Sequence, residues 1–356
     1  MFISIETSLL SWSVLFRNAR IMELSQLVKQ FKRIAPLALA ESWDNVGLLV
    51  QPPGKLVIKK VLLTNDFTEP VMQEALEANV NMVLTYHPLI FSGLKRITMD
   101  DWKTEIVSTC LRNNIAVYSP HTTWDSFRGG ASDWLLDAFK KIGYAESYPL
   151  KPSSSEDCKI TFIAGNKPRE LQSPTSGVEG EGAHFEVNSD STQLKCRKVD
   201  AFPAISAALR TGFQVSNVEE PDASNATGGG RWCTLKNPIS LKTAVHCVKE
   251  HLHLEHVRVA KAVGKQGTEE TVSRVGVCCG SGASTLPKGK LDVFVTGEMS
   301  HHDVLDAIHT GTHVILCDHS NTERGFLEKA KQMLEAVAED VEFAISVRDA
   351  DPLVIV

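Results

Sequence analysis

Five side chains that could bind a metal ion stand where apolar stretches of the sequence give way to polar residues. His121 precedes Asp125 by four residues, and about two hundred residues later His319 precedes Glu323 at the same spacing. His87 also follows an apolar stretch. Imidazole nitrogens and carboxylate oxygens bind borderline divalent ions such as zinc, iron, manganese or cobalt, and open positions on such an ion activate water. The five residues therefore form a candidate metal site.

Each of these residues also has a purely structural interpretation. His87 could simply end a strand, and His121 could form a loop hydrogen bond with Asp125. Glu323 follows a serine by three residues, and Ser-x-x-Glu is the capping-box pattern of a helix N-terminus. The spacing alone does not decide between these interpretations and a metal site.

An adjacent pair of histidines, His301 and His302, offers a second candidate for chemistry. Neighbouring residues on a helix point about 100° apart, so at most one of the two can face a metal site. His302 is then a candidate for proton transfer or for contact with a substrate, and His121 is a further candidate for proton transfer.

Two glycine-rich segments, residues 228–230 and 280–282, could present backbone N–H groups to a phosphate. Neither segment matches the G-x-G-x-x-G fingerprint or a P-loop. Both segments therefore predict turns.

The bulk composition narrows the class of protein. The chain has 356 residues, of which 43% are hydrophobic, so it can bury a large core in two domains or two fused halves. A formal charge of -6 argues against direct binding to nucleic acid. Eight cysteines without a C-x-x-C pair indicate free thiols in a reducing compartment. No apolar run reaches the roughly 18 residues of a membrane span, so no membrane partner is expected.

Strand-like apolar runs alternate with helix-like segments along the chain, which predicts an α/β fold with a parallel sheet. We assign residues 22–154 to a first α/β half and residues 226–356 to a second. A small α+β insertion, residues 155–225, lies between them and contains a predicted helix at 204–211. The second half repeats the element order of the first, which indicates an internal duplication, and its last predicted strand is 353–356.

The first 21 residues differ from the rest of the chain. They are apolar and rich in serine, with two arginines and one acidic residue, and Met22 could be a second start. This composition fits either a mitochondrial transit peptide or a plain N-terminal extension. We exclude residues 1–21 from the fold.

Five motifs in order along the chain resemble the Nif-three-like family, which is also known as the type-two GTP cyclohydrolase-one homologues. The motifs are WDNVGL (43–48), YHPLIF (86–91), SPHTTWD (119–125), TGEMSHHD (296–303) and HSNTERG (319–325). The resemblance runs from about residue 22 to the C-terminus.

The resemblance implies two similar α/β halves that face each other across a metal-binding cleft, with an inserted domain between them. It also implies a dinuclear divalent-metal site and a homo-oligomer, either a dimer or a ring of dimers. The family ligands correspond to four residues, and His121 corresponds to a position near the metals. The four are His87, Asp125, His319 and Glu323.

The chain departs from the family at one ligand. The first histidine of the family's His-His-Pro motif is Tyr86 here. Tyrosine, with a pKa near 10, is a poor metal ligand at neutral pH, so the chain is expected to bind one or two ions.

The resemblance implies two functions from different classes. The first is a regulatory protein that acts through a transcription-regulator partner, in transcriptional co-regulation, and Tyr86 favours it because it suggests relaxed metal demands. The second is a metal-dependent hydrolase that acts on a nucleotide or related ring, as a GTP cyclohydrolase does, with His121 or His302 moving protons. We expect a cytoplasmic location, with the nucleus and the mitochondrion as further locations.

Overall fold

A computed structural model describes most of the chain from residue 22 onward. The described residues are 22–153, 157–164, 184–187, 192–197, 206, 213–219, 227–264 and 271–356. The predicted N-terminal extension, residues 1–21, lies outside the described residues. Nearly all of the helix predicted at 204–211 lies outside them too.

The first sheet is built mainly from the first half of the chain. Its strands are β1 (Gly47–Val50), β2 (Lys60–Thr64), β3 (Met82–Thr85), β4 (Ala116–Ser119) and β17 (Glu342–Ile345), in the order β1-β4-β3-β2-β17. All neighbours are parallel except β1 and β4. The helices of this half include α1 (Leu24–Ile34), α2 (Glu69–Glu77), α3 (Trp102–Arg112), α4 (Thr122–Ser126) and α5 (Ala131–Leu136). Every residue of β3 and β4 is buried, as parallel strands covered on both faces require.

The second sheet has six strands. They are β5 (Tyr144–Tyr148), β12 (Arg231–Ser240), β13 (Arg258–Ala260), β14 (Thr271–Ser281), β15 (Val293–Glu298) and β16 (His313–Leu316). Their order is β13-β16-β15-β14-β12-β5, and β14, β15 and β16 are parallel. The helices of this half are α6 (Leu241–Leu252), α7 (His301–His309) and α8 (Phe326–Val337).

The two sheets repeat one arrangement of strands. The order β1-β4-β3-β2 in the first sheet matches β13-β16-β15-β14 in the second, and in both cases the first pair is antiparallel and the others are parallel. The predicted α/β class is therefore confirmed. The halves also exchange strands, because β5 joins the second sheet and β17 joins the first. The strand predicted at 353–356 is wrong, since these residues are exposed and form no regular element.

The insertion leaves and rejoins the body of the protein at neighbouring points. The short strands β6 (Lys151–Pro152) and β11 (Gly228–Gly229) pair with each other on either side of it. Between them, the described residues form an antiparallel sheet of four strands in the order β10-β7-β9-β8. These strands are β7 (Asp157–Ala164), β8 (His184–Val187), β9 (Thr192–Arg197) and β10 (Phe213–Glu219). An insertion with adjacent ends can extend from a loop without disturbing the sheets on either side.

One hydrophobic cluster joins the two halves. It includes Leu27 and Tyr118 from the first half and Val277, Ile315 and Phe326 from the second, all nearly or fully buried. Side chains at the strand ends of one half can therefore approach those of the other. Among the described helices, none combines the length and apolar character that a bilayer span needs.

Candidate metal centre

Three side chains from both halves of the chain converge on one point. His87 follows β3 by two residues, whereas His319 and Glu323 lie in the turn after β16. Nε2 of His87 lies 3.2 Å from Nε2 of His319 and 3.3 Å from Oε2 of Glu323, and Oε1 of Glu323 lies 3.4 Å from Nε2 of His319. We call His87, His319 and Glu323 the tripod. All three residues follow the carboxyl ends of parallel strands, where α/β proteins place their sites.

The spacing of the tripod atoms suits one metal ion. Ligands bound about 2.0–2.1 Å from a tetrahedral zinc ion lie about 3.3–3.4 Å from each other. In the tripod the two Nε2 atoms lie 3.2 Å apart, and they approach different oxygens of Glu323, His87 at 3.3 Å from Oε2 and His319 at 3.4 Å from Oε1. One donor atom from each of the three residues lies within 4.8 Å of the other two. Two imidazoles and one carboxylate form a nitrogen–oxygen donor set that suits borderline divalent ions and leaves positions for other ligands.

Each tripod histidine is held by a carboxylate on its other ring nitrogen. Nδ1 of His87 lies 2.9 Å from Oδ1 of Asp66, and Nδ1 of His319 lies 2.8 Å from Oε1 of Glu298. Metal-binding histidines commonly have such a partner, which fixes the tautomer and orients the ring. The sequence motifs did not single out Asp66 and Glu298 as partners. Both lie at or just after the end of a parallel strand, so the rule that singled out His87 could have found them.

The carboxylates of Glu323 and Asp66 favour a positive charge on or beside the His87 ring. Burial by itself would lower the pKa of His87, but the charge of Glu323 and the hydrogen bond with Asp66 raise that pKa to about 10. Burial likewise raises the pKa of Asp66, but the bond with His87 outweighs it, and the pKa of Asp66 falls below its usual value. A divalent cation would satisfy the same carboxylates without a proton on Nε2 of His87.

Asp125, a predicted ligand, lies beside the tripod and accepts a hydrogen bond from Tyr86. The phenol of Tyr86 donates a short hydrogen bond to Oδ1 of Asp125. Burial, followed by the charge of Glu323, raises the pKa of Asp125 to about 6. Burial also raises the pKa of Tyr86 well above its usual value, so the phenol keeps its proton. The structure thus brings His87, His319 and Glu323 together as one donor group and leaves Asp125 outside it.

A fully buried arginine fixes the segment that carries Asp125. The guanidinium of Arg231 donates to the backbone carbonyls of Ser126 at 3.2 Å and Phe127 at 3.0 Å. Its Nε lies 3.0 Å from Oδ2 of Asp133, which balances the buried charge. Because Arg231 is the first residue of β12, the second sheet sets the position of α4 and its aspartate.

His121 contacts a carboxylate next to the tripod. Its Nδ1 lies 2.7 Å from Oδ1 of Asp44, whose side chain is fully buried, and its ring centre lies 5.4 Å from that of His87. Burial would raise the pKa of Asp44, but hydrogen bonds with His121 and Thr122 lower it. His121 also has a φ of 37°, a strained value for a residue other than glycine and one that recurs at functional sites. Nε2 of His121 makes no hydrogen bond to any described residue.

His302 lies in the first turn of α7 and is exposed. Its ring contacts that of His301, with 5.6 Å between the ring centres. Within the described part of the chain, His302 makes no hydrogen bond to the tripod. Its role in proton transfer stays a prediction.

The glycine-rich segment 280–282, where β14 ends, forms a wall of the site. Gly280 has a φ of 59°, and its N–H donates to Oγ1 of Thr322 at 2.8 Å. A Cβ atom at Gly280 would lie 2.6 Å from Oε1 of Glu323 and 2.9 Å from Nε2 of His319. The sequence predicted only a turn here, but the close approach of the tripod also requires glycine.

The capping-box interpretation of Glu323 is not realised. Helix α8 begins only at Phe326, and the carboxylate of Glu323 is buried against the tripod histidines. The hydroxyl of Ser320 donates to Asp351 and accepts a hydrogen bond from Arg324. Residues 320–322 instead form a short 3-10 helix that turns Glu323 toward His87.

Two exposed aromatic side chains border the site. Trp43 is 58% exposed and Phe91 is 46% exposed, and their ring centres lie 6.0 and 6.3 Å from that of His121. Nδ2 of Asn45 donates to the carbonyl of Ile90 at 2.5 Å, which ties the two aromatic segments together. Large apolar groups held in solvent at a site are typical of surfaces that bind a ligand or partner.

A model of one protein family matches residues 22–352 of the chain, and its description is Duf34/NIF3 (NGG1p interacting factor 3). The chain belongs to this family. NIF3-like protein 1 from Bos taurus is 38% identical over 98% of this chain and 96% of its own length. NIF3-like protein 1 from Homo sapiens is 38% identical over 94% of this chain and 93% of its own length. NGG1-interacting factor 3 from Saccharomyces cerevisiae is 31% identical over 94% of this chain and 97% of its own length.

Solved structures agree with the fold of the family. A Bacillus cereus protein related to NIF3 matches with a TM-score of 0.68 at 23% identity, over 95% of this chain and all of that chain. The family model and the relatives of 31–38% identity confirm the resemblance deduced from the five motifs. At this identity the comparison with the bacterial structure supports the fold alone.

Proposed function

We propose that this member of the NIF3 family binds a divalent metal ion through the tripod and acts as a regulatory protein through a protein partner. The observation that carries the metal proposal is the convergence of His87, His319 and Glu323, with each imidazole held by a further carboxylate. Two nitrogens and one carboxylate favour zinc, iron, manganese or cobalt.

The ion would connect the two halves of the molecule. His87 follows a strand of the first sheet, whereas His319 and Glu323 follow a strand of the second. His319 lies 232 residues after His87 in the sequence. A ligand that binds only the folded arrangement stabilises it in proportion to the logarithm of ligand concentration. Metal binding would therefore hold the two halves in one arrangement and keep the surface around the tripod fixed.

Two observations support a protein partner. The yeast relative is named as an interacting factor of NGG1, and the family carries the same description. In addition, the segment after the tripod residue His87 exposes large apolar side chains in a row. They are Phe91, Leu94, Ile97, Met99 and Trp102. Exposed apolar surface of this kind is typical of protein–protein contact sites, so we place the partner surface on residues 91–102.

Metal analysis of the purified protein tests the metal proposal. We expect bound divalent metal in the wild-type protein and a melting temperature that falls when a chelator removes the metal. His319→Ala should lose both the metal and the effect of the chelator. His309→Ala, which removes an exposed histidine on α7, is the matched control and should behave like the wild type. Wild-type protein that takes up no zinc, iron, manganese or cobalt would refute the proposal.

The pair of His121 and Asp44 favours a second candidate, a metal-dependent hydrolase. Asp44 would hold a proton on Nδ1 of His121 and leave Nε2 to accept or donate a proton. A bound ion would supply Lewis acidity to a substrate oxygen. The exposed faces of Trp43 and Phe91 would receive a planar part of the substrate, such as the ring of a nucleotide.

The two candidates differ in their dependence on His121. The hydrolase requires turnover of a nucleotide panel by the metal-loaded protein, and His121→Gln should abolish turnover while the metal stays bound. The regulatory protein requires no turnover, and its partner binding should survive His121→Gln. Substitution of Trp102 by serine should instead weaken binding to the partner.

A further inference from the structure

Tyr86 is a buried residue that adjoins the tripod residue His87. Its side chain is fully buried at the end of β3, and its ring packs edge-to-face against Trp124 with 5.7 Å between the centres. This packing leaves the phenol next to Asp125, to which it donates a hydrogen bond. The phenol is therefore held at the carboxylate by the surrounding core.

We propose that the chain holds one divalent ion and not two, because the hydroxyl of Tyr86 binds Asp125 in the place where a second ion would. The inference rests on the proposed binding of metal by the tripod. It goes further by assigning Tyr86 as the residue that sets the number of ions.

Among the described residues, the number of converging donor groups suffices for one ion. In the part of the chain that the structure describes, one group of three histidine, cysteine or carboxylate side chains can converge on a single ion, and that group is the tripod. A second ion beside the tripod would have two protein ligands, the carboxylate of Asp125 and one oxygen of Glu323. Protein sites for divalent ions of this kind generally supply three or four ligands, so the second position lacks donors.

A phenol does not make up the missing donor. The hydroxyl proton of Tyr86 already takes part in a hydrogen bond to Oδ1 of Asp125, and phenols are not among the usual protein ligands of such ions. A metal ion at that place would have to displace this proton and break the hydrogen bond.

The hydrogen bond also removes the need for a second cation. A buried carboxylate without a partner is unfavourable, because it loses the solvation that water gave it. Asp125 lies close to Glu323, and without a partner the two carboxylates would repel each other. The donor hydrogen of Tyr86 satisfies Asp125, whereas the tripod ion satisfies Glu323. Each carboxylate then has its own partner.

The stoichiometry of metal binding tests this inference. Metal-free protein is loaded with Zn²⁺, dialysed and analysed for metal per chain. We expect one ion in the wild type and one in Tyr86→Phe, which removes the hydroxyl and adds no donor. We expect two ions in Tyr86→His, which supplies an imidazole beside Asp125. Tyr118→Phe, a change at another buried tyrosine on β4, is the control and should keep one ion.

A spectroscopic measurement on the wild type does not depend on the folding of any variant. Protein saturated with Mn²⁺ should give the electron paramagnetic resonance spectrum of an isolated ion. The spectrum of a spin-coupled pair, or two zinc ions per wild-type chain, would overturn the inference and leave metal binding by the tripod intact. No bound metal would overturn the proposed function as well. A folded Tyr86→His protein with a single ion would overturn the role given to Tyr86.

Discussion

Replacement of Gly280 by alanine tests whether the wall of the site holds the tripod in place. Gly280 ends the buried part of β14 and has a φ of 59°, in the left-handed region that side chains disfavour. A Cβ atom there would lie 2.6 Å from Oε1 of Glu323 and 2.9 Å from Nε2 of His319. The substitution therefore has a backbone effect on stability and a separate steric effect on two proposed metal ligands.

The two effects have different magnitudes. The left-handed backbone costs a residue with a Cβ about 1–2 kcal/mol, whatever its surroundings. To reach an ordinary contact of 3.4 Å, the oxygen of Glu323 must withdraw by about 0.8 Å from its 2.6 Å separation. Metal–ligand distances tolerate only about 0.2 Å of deviation. We therefore expect the affinity for Zn²⁺ to fall at least tenfold, which corresponds to about 1.4 kcal/mol.

A second glycine provides a matched control. Gly311 has a φ of 87°, and a Cβ atom there would meet no atom within 4 Å. Gly311→Ala should therefore lose stability through its backbone alone and keep the metal affinity of the wild type. Competition with a chromophoric chelator measures the affinity, and thermal melting in excess chelator measures the stability of the metal-free proteins. Equal zinc affinities in Gly280→Ala and Gly311→Ala would refute the reasoning.

Two further predictions concern carboxylates that hold histidines. Glu298→Gln removes the anionic partner of His319, so we expect metal affinity to fall tenfold to about a hundredfold in chelator competition. Asp44→Asn removes the charged partner of His121 and should destabilise the protein at pH 7 by about 1–3 kcal/mol in urea unfolding. The pKa of Asp44 is lowered in the folded protein, so its contribution is present above the unfolded pKa near 3.9 and is lost as the pH falls through the lower folded value.

Surface residues provide the controls for these two variants. Glu342→Gln changes a carboxylate that pairs with Lys60 on the surface, and it should leave metal affinity unchanged. Asp340→Asn changes an exposed aspartate and should alter stability little at any pH. Wild-type metal affinity in Glu298→Gln would contradict the first prediction. The second prediction concerns the difference in free energy of unfolding between Asp44→Asn and the wild type. It fails if this difference is the same at pH 7 and at a pH below the pKa of Asp44 in the folded protein.

The sequence determined the local framework of the site. A run of apolar residues ends where a buried strand ends, so the polar residues that follow it must lie at the edge of the sheet. This pattern by itself places His87, His319 and Glu323 at strand ends. The alternation of strands and helices likewise determined the α/β class, because a parallel sheet needs crossover helices.

Only the tertiary structure decided which of these residues meet. Sequence spacing grouped Asp125 with Glu323 as candidate ligands, and only the structure shows that the phenol of Tyr86, packed against Trp124 of α4, donates a hydrogen bond to Asp125. The strand-end pattern can mark Glu298 as a site residue, but it cannot pair Glu298 with His319, and it does not mark Gly280 as a wall of the site. These contacts join residues that are distant in the chain, and the pairing of strands across the two halves creates them.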